Sequence, residues 1–150
     1  MSKTCMQAAE TVTLASRRTP RQSPLLRLNL AEVERSVRAI HAALPGVDVH
    51  YAVKANPHQE VIRRLHASRV GFEIASQAEL TSLLTLGIPP DRMLCLHPIK
   101  SPDFVSALHD AQVGYLAADS RQEVEKIATL APGAGIAVRL AVSNEPGFPK

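Results

Sequence analysis

The sequence has 150 residues, a formal net charge of +3, 45% hydrophobic residues and 3% aromatic residues. This composition predicts a globular protein about one domain long, and it argues against nucleic acid as a partner because single-strand binders stack bases on aromatic side chains. The sequence contains only two cysteines and no apolar run of about 18 residues. These features predict a cytoplasmic protein without a disulfide framework or a membrane partner.

The first part of the chain is basic and lacks clear helical or strand periodicity. Residues 1–28 carry four arginines and a single acid, Glu10. We predict that residues 1–22 form a basic, disordered tail and that residues 23–150 form the folded part. An Arg-rich, acid-poor segment also resembles an organellar transit peptide, which is the minor alternative because the amphipathic pattern is weak.

From residue 29 onward, helical and strand patterns alternate. In NLAEVERSVRAIHAAL the apolar residues recur at steps of three and four, and Pro45-Gly46 ends the predicted helix. The following VDVHYAV alternates between two faces, which predicts a strand that extends to Lys54. Further strands are predicted to start near residues 71, 93, 113 and 136. The helices between them are predicted to begin at Ser76, Ser101 and Ser120, where Glu79 and Glu123 complete capping boxes with the first and last of these serines.

Strands that alternate with helices predict a parallel sheet. An open doubly wound sheet normally has a glycine-rich phosphate turn after its first strand, but AVKANPHQEV contains no glycine. We therefore predict an α/β fold of the (βα)8 barrel type. Such a barrel typically has about 250 residues, and the sequence accounts for about five of its eight βα units.

Three charged residues are predicted to face the barrel interior among small side chains. Alternation places Ala52 and Lys54 inward on the first strand, Glu73 on the second and Arg139 on the fifth. Alternatively, Lys54 is a solvated charge, as lone lysines usually are, and Glu73 and Arg139 form a buried ion pair. The coincidence of three charges on small-residue faces favours a site, because barrel enzymes hold their chemistry at the carboxyl ends of the strands.

A lysine in such a cavity can condense with an aldehyde to form a Schiff base. Pyridoxal 5'-phosphate is the usual biological aldehyde, and its ring takes up electrons during decarboxylation, racemisation or transamination of amino acids. The histidines and cysteines do not have the spacing of metal ligands. Pyridoxal 5'-phosphate chemistry is therefore open to Lys54, and we predict no metal site.

The runs YAVKANP, GFEIASQAEL, LGIPPDRM, HPIKSP and VRLAV resemble the N-terminal barrel half of fold-type III pyridoxal-phosphate enzymes, the ornithine, diaminopimelate and arginine decarboxylase group. The resemblance covers residues 23–150. It implies that Lys54 carries the cofactor, that Glu73 lies near both, and that Arg139 lines the same cavity. Ala52, which shares the predicted inward face of Lys54, is assigned to the cofactor site as well. The ornithine enzymes generally have aspartate at the position of Glu73.

GFEIAS and HPIKSP are most similar to the ornithine enzymes, so the resemblance implies decarboxylation of ornithine to putrescine in polyamine biosynthesis. Diaminopimelate, lysine and arginine are the alternative substrates. Alanine racemase is disfavoured because PHQEV stands where racemases continue with YGHG. The alternatives of another class are a non-catalytic regulatory homologue and a pyridoxal-phosphate carrier protein.

The resemblance also implies a homodimer with shared active sites. The histidine that stacks on the cofactor ring, the phosphate-binding loop and the C-terminal β-domain of the family have no counterpart in the matched motifs. We therefore expect this chain to be inactive alone. It would act as a fragment of a longer enzyme or together with a complementing chain.

Overall fold

The computed structural model describes residues 11–13 and 27–142. Strand β1, Thr11–Thr13, pairs antiparallel with strand β2, Arg27–Asn29. Three residues of the predicted tail therefore belong to a two-stranded sheet. The rest of that tail lies outside the described residues, and its boundary at residue 22 stays a prediction.

Helices and strands alternate after β2, as the sequence predicts. The helices are α1 (Leu30–Ala43), α2 (Gln59–Ala67), α3 (Gln77–Thr85), α4 (Pro102–Asp110) and α5 (Arg121–Leu130). The strands are β3 (His50–Ala52), β4 (Gly71–Glu73), β5 (Met93–Leu94), β6 (Tyr115–Ala118) and β7 (Gly135–Val138). Each of the five predicted strands is present. Each is shorter than the apolar run that predicts it, because a strand extends only as far as its backbone pairs with a neighbouring strand.

Three serines begin helices where the sequence predicts them. The hydroxyls of Ser76, Ser101 and Ser120 each accept the backbone N–H of the residue three positions on, at 3.3 Å. Such a bond satisfies one of the unpaired N–H groups at a helix start. In α3 the carboxylate of Glu79 also accepts the N–H of Ala75 at 2.7 Å, so both partners of the predicted capping motif are used.

The chain divides into two compact units, of which the first comprises Met1–Tyr51 and Asn56–Gly71. In its described part, α1 and α2 contact each other. Their facing apolar side chains, among them Val37 and Ile62, are buried. Glu34 of α1 and Arg64 of α2 form an ion pair of 3.1 Å at the edge of this contact.

The second unit comprises Ala52–Ala55 and Phe72–Lys150. Strand β4 pairs in parallel with β5, and β6 pairs in parallel with β7. In the described chain the two ladders are joined by one parallel bridge, between Cys95 and Leu116. We call this junction the β5/β6 seam. Its backbone hydrogen bonds run from the Cys95 N–H to the Tyr115 carbonyl at 2.9 Å and from the Ala117 N–H to the Cys95 carbonyl at 2.7 Å.

The first predicted strand ends earlier than its sequence pattern suggests. Strand β3 ends at Ala52, and Val53–Ala55 form a 3-10 turn. Lys54 therefore lies in a turn, and the prediction that it is the last strand residue is wrong. Val53 is 1% exposed, and because a turn can bury this residue as well as a strand does, the hydrophobic pattern did not distinguish the two.

Candidate functional site

Lys54 lies just beyond the carboxyl end of β3 with its side chain exposed. The described chain contains two other lysines, Lys100 and Lys126. Both are paired with the carboxylate of Glu123, at 2.8 Å and 2.6 Å. Within residues 11–13 and 27–142, Lys54 has no ion pair, so it is the described lysine whose amine is open to a carbonyl ligand.

Glu73 is the last residue of β4 and is half-buried, as is Ala52 at the end of β3. The side chains of β4 alternate as predicted, because Phe72 and Ile74 on the opposite face are both 0% exposed. The parallel register pairs Glu73 with Leu94 of β5, so these two side chains share a face. Burial of the other face leaves the face of Glu73 as the accessible side of this sheet.

Arg139 directly follows β7 and is exposed. Its backbone N–H donates to the carbonyl of Ala118 at 2.9 Å, which extends the β6–β7 ladder by one bond. Alternation predicts that Val138 and Leu140 face helices, but they are 66% and 80% exposed. The register pairs Val138 with Ala118, which is 1% exposed, so Val138 lies on the predicted face of the sheet. Its side chain is exposed because residues 139–142 form no helix that could cover it.

Lys54, Glu73 and Arg139 all belong to the second unit, and each stands at the carboxyl end of a different strand. In the described part of the chain no ion pair joins any two of them. Arg139 is exposed, so the alternative of a buried Glu73–Arg139 ion pair does not hold. The three groups lie at the strand ends where a barrel carries its chemistry.

The second unit also contains a buried charge cluster that the sequence did not reveal. Lys100 and Glu123 have side chains that are 0% and 6% exposed, and the half-buried Lys126 completes the cluster. Glu123 was predicted only as the second member of the helix cap at Ser120. Its N–H does bond to the Ser120 hydroxyl, but its carboxylate is used by the two lysines. Lys100 belongs to the run HPIKSP, whose resemblance to the family is the sequence feature that points to it.

Two groups near the seam have shifted pKa values. Burial would raise the pKa of the Glu123 carboxyl, but the hydrogen bonds and charges of Lys100 and Lys126 outweigh it and lower that pKa below its usual value. Burial raises the pKa of the Cys95 thiol to about 11. Glu123 is thus held as a carboxylate, and Cys95 is held as a thiol that is a poor nucleophile.

Residues 30–147 match the family model for the pyridoxal-dependent decarboxylase, pyridoxal binding domain. The chain belongs to this family. It is 35% identical over 122 residues to the lysine/ornithine decarboxylase of Selenomonas ruminantium, a match that covers 81% of this chain and 31% of that protein. It is 32% identical to ornithine decarboxylase 2 of Drosophila melanogaster over 74% of this chain and 28% of that protein.

A solved structure shows the same fold. The lysine/ornithine decarboxylase of Vibrio vulnificus complexed with putrescine superposes with a TM-score of 0.72 and 29% identity, over 77% of this chain and 32% of that one. The predicted fold class, part of an α/β barrel of pyridoxal-phosphate decarboxylases, is confirmed. The chain spans about a third of the length of these relatives. None of the described helices has the length and apolar character needed to cross a bilayer.

Proposed function

We propose that this chain is the cofactor-binding barrel portion of a pyridoxal-phosphate-dependent decarboxylase of basic amino acids, and that Lys54 binds the cofactor covalently. The observation that supports the proposal is which of the three described lysines form ion pairs. Lys100 and Lys126 are held in ion pairs with Glu123. Lys54 is exposed at the end of β3, where its amine is accessible to an aldehyde.

Side chains at two other strand ends of the same unit fit a charged, polar cofactor. Glu73 offers a half-buried carboxylate at the end of β4, and Arg139 offers the donors of an exposed guanidinium beyond β7. The small side chain of Ala52, next to the Val53–Ala55 turn, leaves room beside Lys54. When bound, pyridoxal phosphate supplies an electron sink for the bond that is broken at the amino-acid Cα. The protein residues would bind the cofactor and orient it.

Ornithine is the substrate that we propose first, with lysine as the second candidate. The sequence motifs are closest to ornithine enzymes, and the relatives include an ornithine decarboxylase and a lysine/ornithine decarboxylase. Because the chain spans about a third of the length of these relatives, we expect the residues that contact the far end of the substrate to lie in segments outside this chain. We further propose a cytoplasmic homodimer whose active sites are completed by a longer form of the chain or by a complementing chain.

Covalent trapping tests the assignment of Lys54. The purified chain is incubated with pyridoxal phosphate, reduced with borohydride and digested, and the modified lysine is located by mass spectrometry. We expect the pyridoxyl group on the peptide that contains Lys54, and we expect Lys54→Ala to abolish both that label and the visible absorbance of the bound cofactor. Lys126→Ala is the matched control, because it removes a lysine of the same unit that is already paired.

Label on other lysines in equal amount, or unchanged absorbance in Lys54→Ala, would refute the assignment of Lys54. The substrate is tested in the form of the enzyme isolated from its own cells, by measuring carbon dioxide released from ornithine, lysine, arginine and diaminopimelate. We expect the highest kcat/KM for ornithine. Release of carbon dioxide from none of the four would favour the non-catalytic homologue.

A further inference from the structure

The side chain of Lys100 is fully buried, which is uncommon for a lysine. Its Nζ lies 2.8 Å from Glu123 Oε1, and it donates to the carbonyl of Ala117 at 2.6 Å and to that of His97 at 3.0 Å. An ammonium group has three N–H donors, so these three oxygens use all of them. Lys100 therefore has no donor left for a ligand, and its role must come from what it holds together.

The carbonyls bound by Lys100 lie on opposite sides of the β5/β6 seam. His97 follows β5, and Ala117 belongs to β6. The seam itself has a single bridge, whereas the β6–β7 ladder has four residue pairs. The β4–β5 ladder has two residue pairs, so Lys100 adds a charged crosslink at the junction between β4 and β7 that has the fewest paired residues in the described chain.

The backbone of Lys100 is fastened to helix α5 as well. Its N–H donates to Glu123 Oε1 at 3.2 Å, and its carbonyl accepts from the ammonium of Lys126. The loop after β5 is therefore held both to β6 and to α5. The same loop exposes Ile99, which is 71% exposed, while the neighbouring Lys100 is buried. At this loop, therefore, the buried position is taken by the ammonium and not by the apolar side chain.

Glu73 and Arg139 stand on opposite sides of the seam, because the strands follow in the order β4, β5, β6, β7. Any opening of the seam changes their separation. We infer that Lys100 is a positioning residue, which closes the β5/β6 seam and so fixes the spacing of Glu73 and Arg139 at the carboxyl face. The inference that Lys100 closes the seam rests on the contacts alone, whereas its consequence for cofactor binding rests on the proposed function.

Amide hydrogen exchange on the full chain tests the seam. Lys100→Met keeps an unbranched side chain as far as Cε and removes the ammonium. We expect exchange of the Cys95 and Ala117 amides, which donate across the seam, to accelerate about tenfold or more, as local opening does. The Arg139 amide, which donates within the β6–β7 side, should keep its rate. Lys126→Met is the matched control, since it removes the other lysine on Glu123 and leaves the crosslink intact.

Equal rates in Lys100→Met and Lys126→Met would overturn the inference. Lys100→Met leaves the buried carboxylate of Glu123 with Lys126 as its remaining partner, and loss of the buried cation can still unfold the unit. For that case the variant Lys100→Met/Glu123→Met removes both charges. We expect it to fold and still to exchange faster at Cys95 and Ala117. Wild-type protection at these amides in the double variant would show that the ammonium does not hold the seam.

The link to the cofactor has its own readout. In the double variant we expect slower borohydride-trapped labelling of Lys54 than in wild type, and in Lys126→Met an unchanged rate. An unchanged labelling rate in a double variant whose seam is open would refute the positioning role. If the wild-type chain itself is not labelled, the proposed function fails, while the exchange rates still decide whether Lys100 closes the seam.

Discussion

The ammonium of Lys100 and the carboxylate of Glu123 lie 2.8 Å apart with side chains that are 0% and 6% exposed. The pair joins the loop after β5 to helix α5 within the second unit. Lys126, with a side chain that is 23% exposed, donates to the other carboxylate oxygen at 2.6 Å. The two lysines therefore share one acid but differ in burial, so the same substitution in each should have different costs.

Lys100→Met should destabilise the chain strongly. Removing one partner of a buried pair typically costs about 3–5 kcal/mol, and because Glu123 keeps Lys126 as a second partner, we expect a cost toward the lower end of this range. Lys126→Met should cost about 1 kcal/mol or less, because its half-exposed charge gains little from the pair. Urea denaturation followed by circular dichroism measures both. A cost for Lys100→Met as small as that of Lys126→Met would show that the buried pair is not important for stability.

The stability that Glu123 provides should depend on pH with a definite sign. Its pKa is lowered in the folded protein, so the folded state favours the carboxylate more than the unfolded state does. The contribution is fully present above the unfolded-state pKa of about 4.3 and is lost as the pH falls through the lower folded-state pKa.

The check compares urea midpoints of wild type and Glu123→Gln from pH 7 down to pH 3. We expect a constant difference between the two proteins down to about pH 5 and a decreasing one below the unfolded-state pKa of about 4.3. A difference that grows on acidification would contradict the sign of the shift. Glu125→Gln is the matched control, since Glu125 pairs with Arg121 on the exposed face of the same helix.

Cys95 should be almost unreactive in the folded protein. Its thiol is buried and its pKa is raised to about 11, so at pH 8 the thiolate population is about 100-fold or more below that of an exposed cysteine. In a Cys5→Ser background, which leaves Cys95 as the only thiol, alkylation by iodoacetamide should be at least that much slower in buffer than in urea. Comparable rates in the two solvents would mean that Cys95 is accessible in solution.

Much of the fold follows from the sequence because its signals are local. The apolar spacing of α1 and the serine caps at Ser76 and Ser120 are set within a few residues, and both appear where predicted. The end of β3 was misplaced because the burial of Val53 suits a strand and a turn equally. Strand pairing and the seam depend on contacts between distant segments, which a single sequence does not specify.

Part of the candidate site could also be predicted, because strand alternation is a local signal. Strand alternation and the family motifs point to Lys54, Glu73 and Arg139, and the structure places each of them at a strand end. The burial of Lys100 was not predicted, because a sequence does not distinguish a buried lysine from a solvated one. The exposure of Ile99 beside it opposes hydrophobic preference, so no hydropathy pattern could have indicated that Lys100 is the inward residue of this pair.

Gly135 and Tyr115 offer a last test, at the opposite end of the strands from the candidate site. The two residues are paired in the register of β6 and β7. A Cβ on Gly135 would lie 2.6 Å from a ring carbon of Tyr115, and a Cβ on Gly114 would have no atom within 4 Å. Tyr115 is 62% exposed, so its ring has room to move aside, but it must turn away from its present position to do so.

Gly135→Ala should therefore destabilise the chain by about 1 kcal/mol, the order of an off-rotamer side chain. Gly114→Ala should be neutral or slightly stabilising, because alanine reduces the entropy of the unfolded chain and meets no neighbour. In a Tyr115→Ala background the cost of Gly135→Ala should disappear, and the double-mutant cycle on urea midpoints should give a coupling of about 1 kcal/mol. A cost that persists without the ring would place the strain in the backbone of β7 instead.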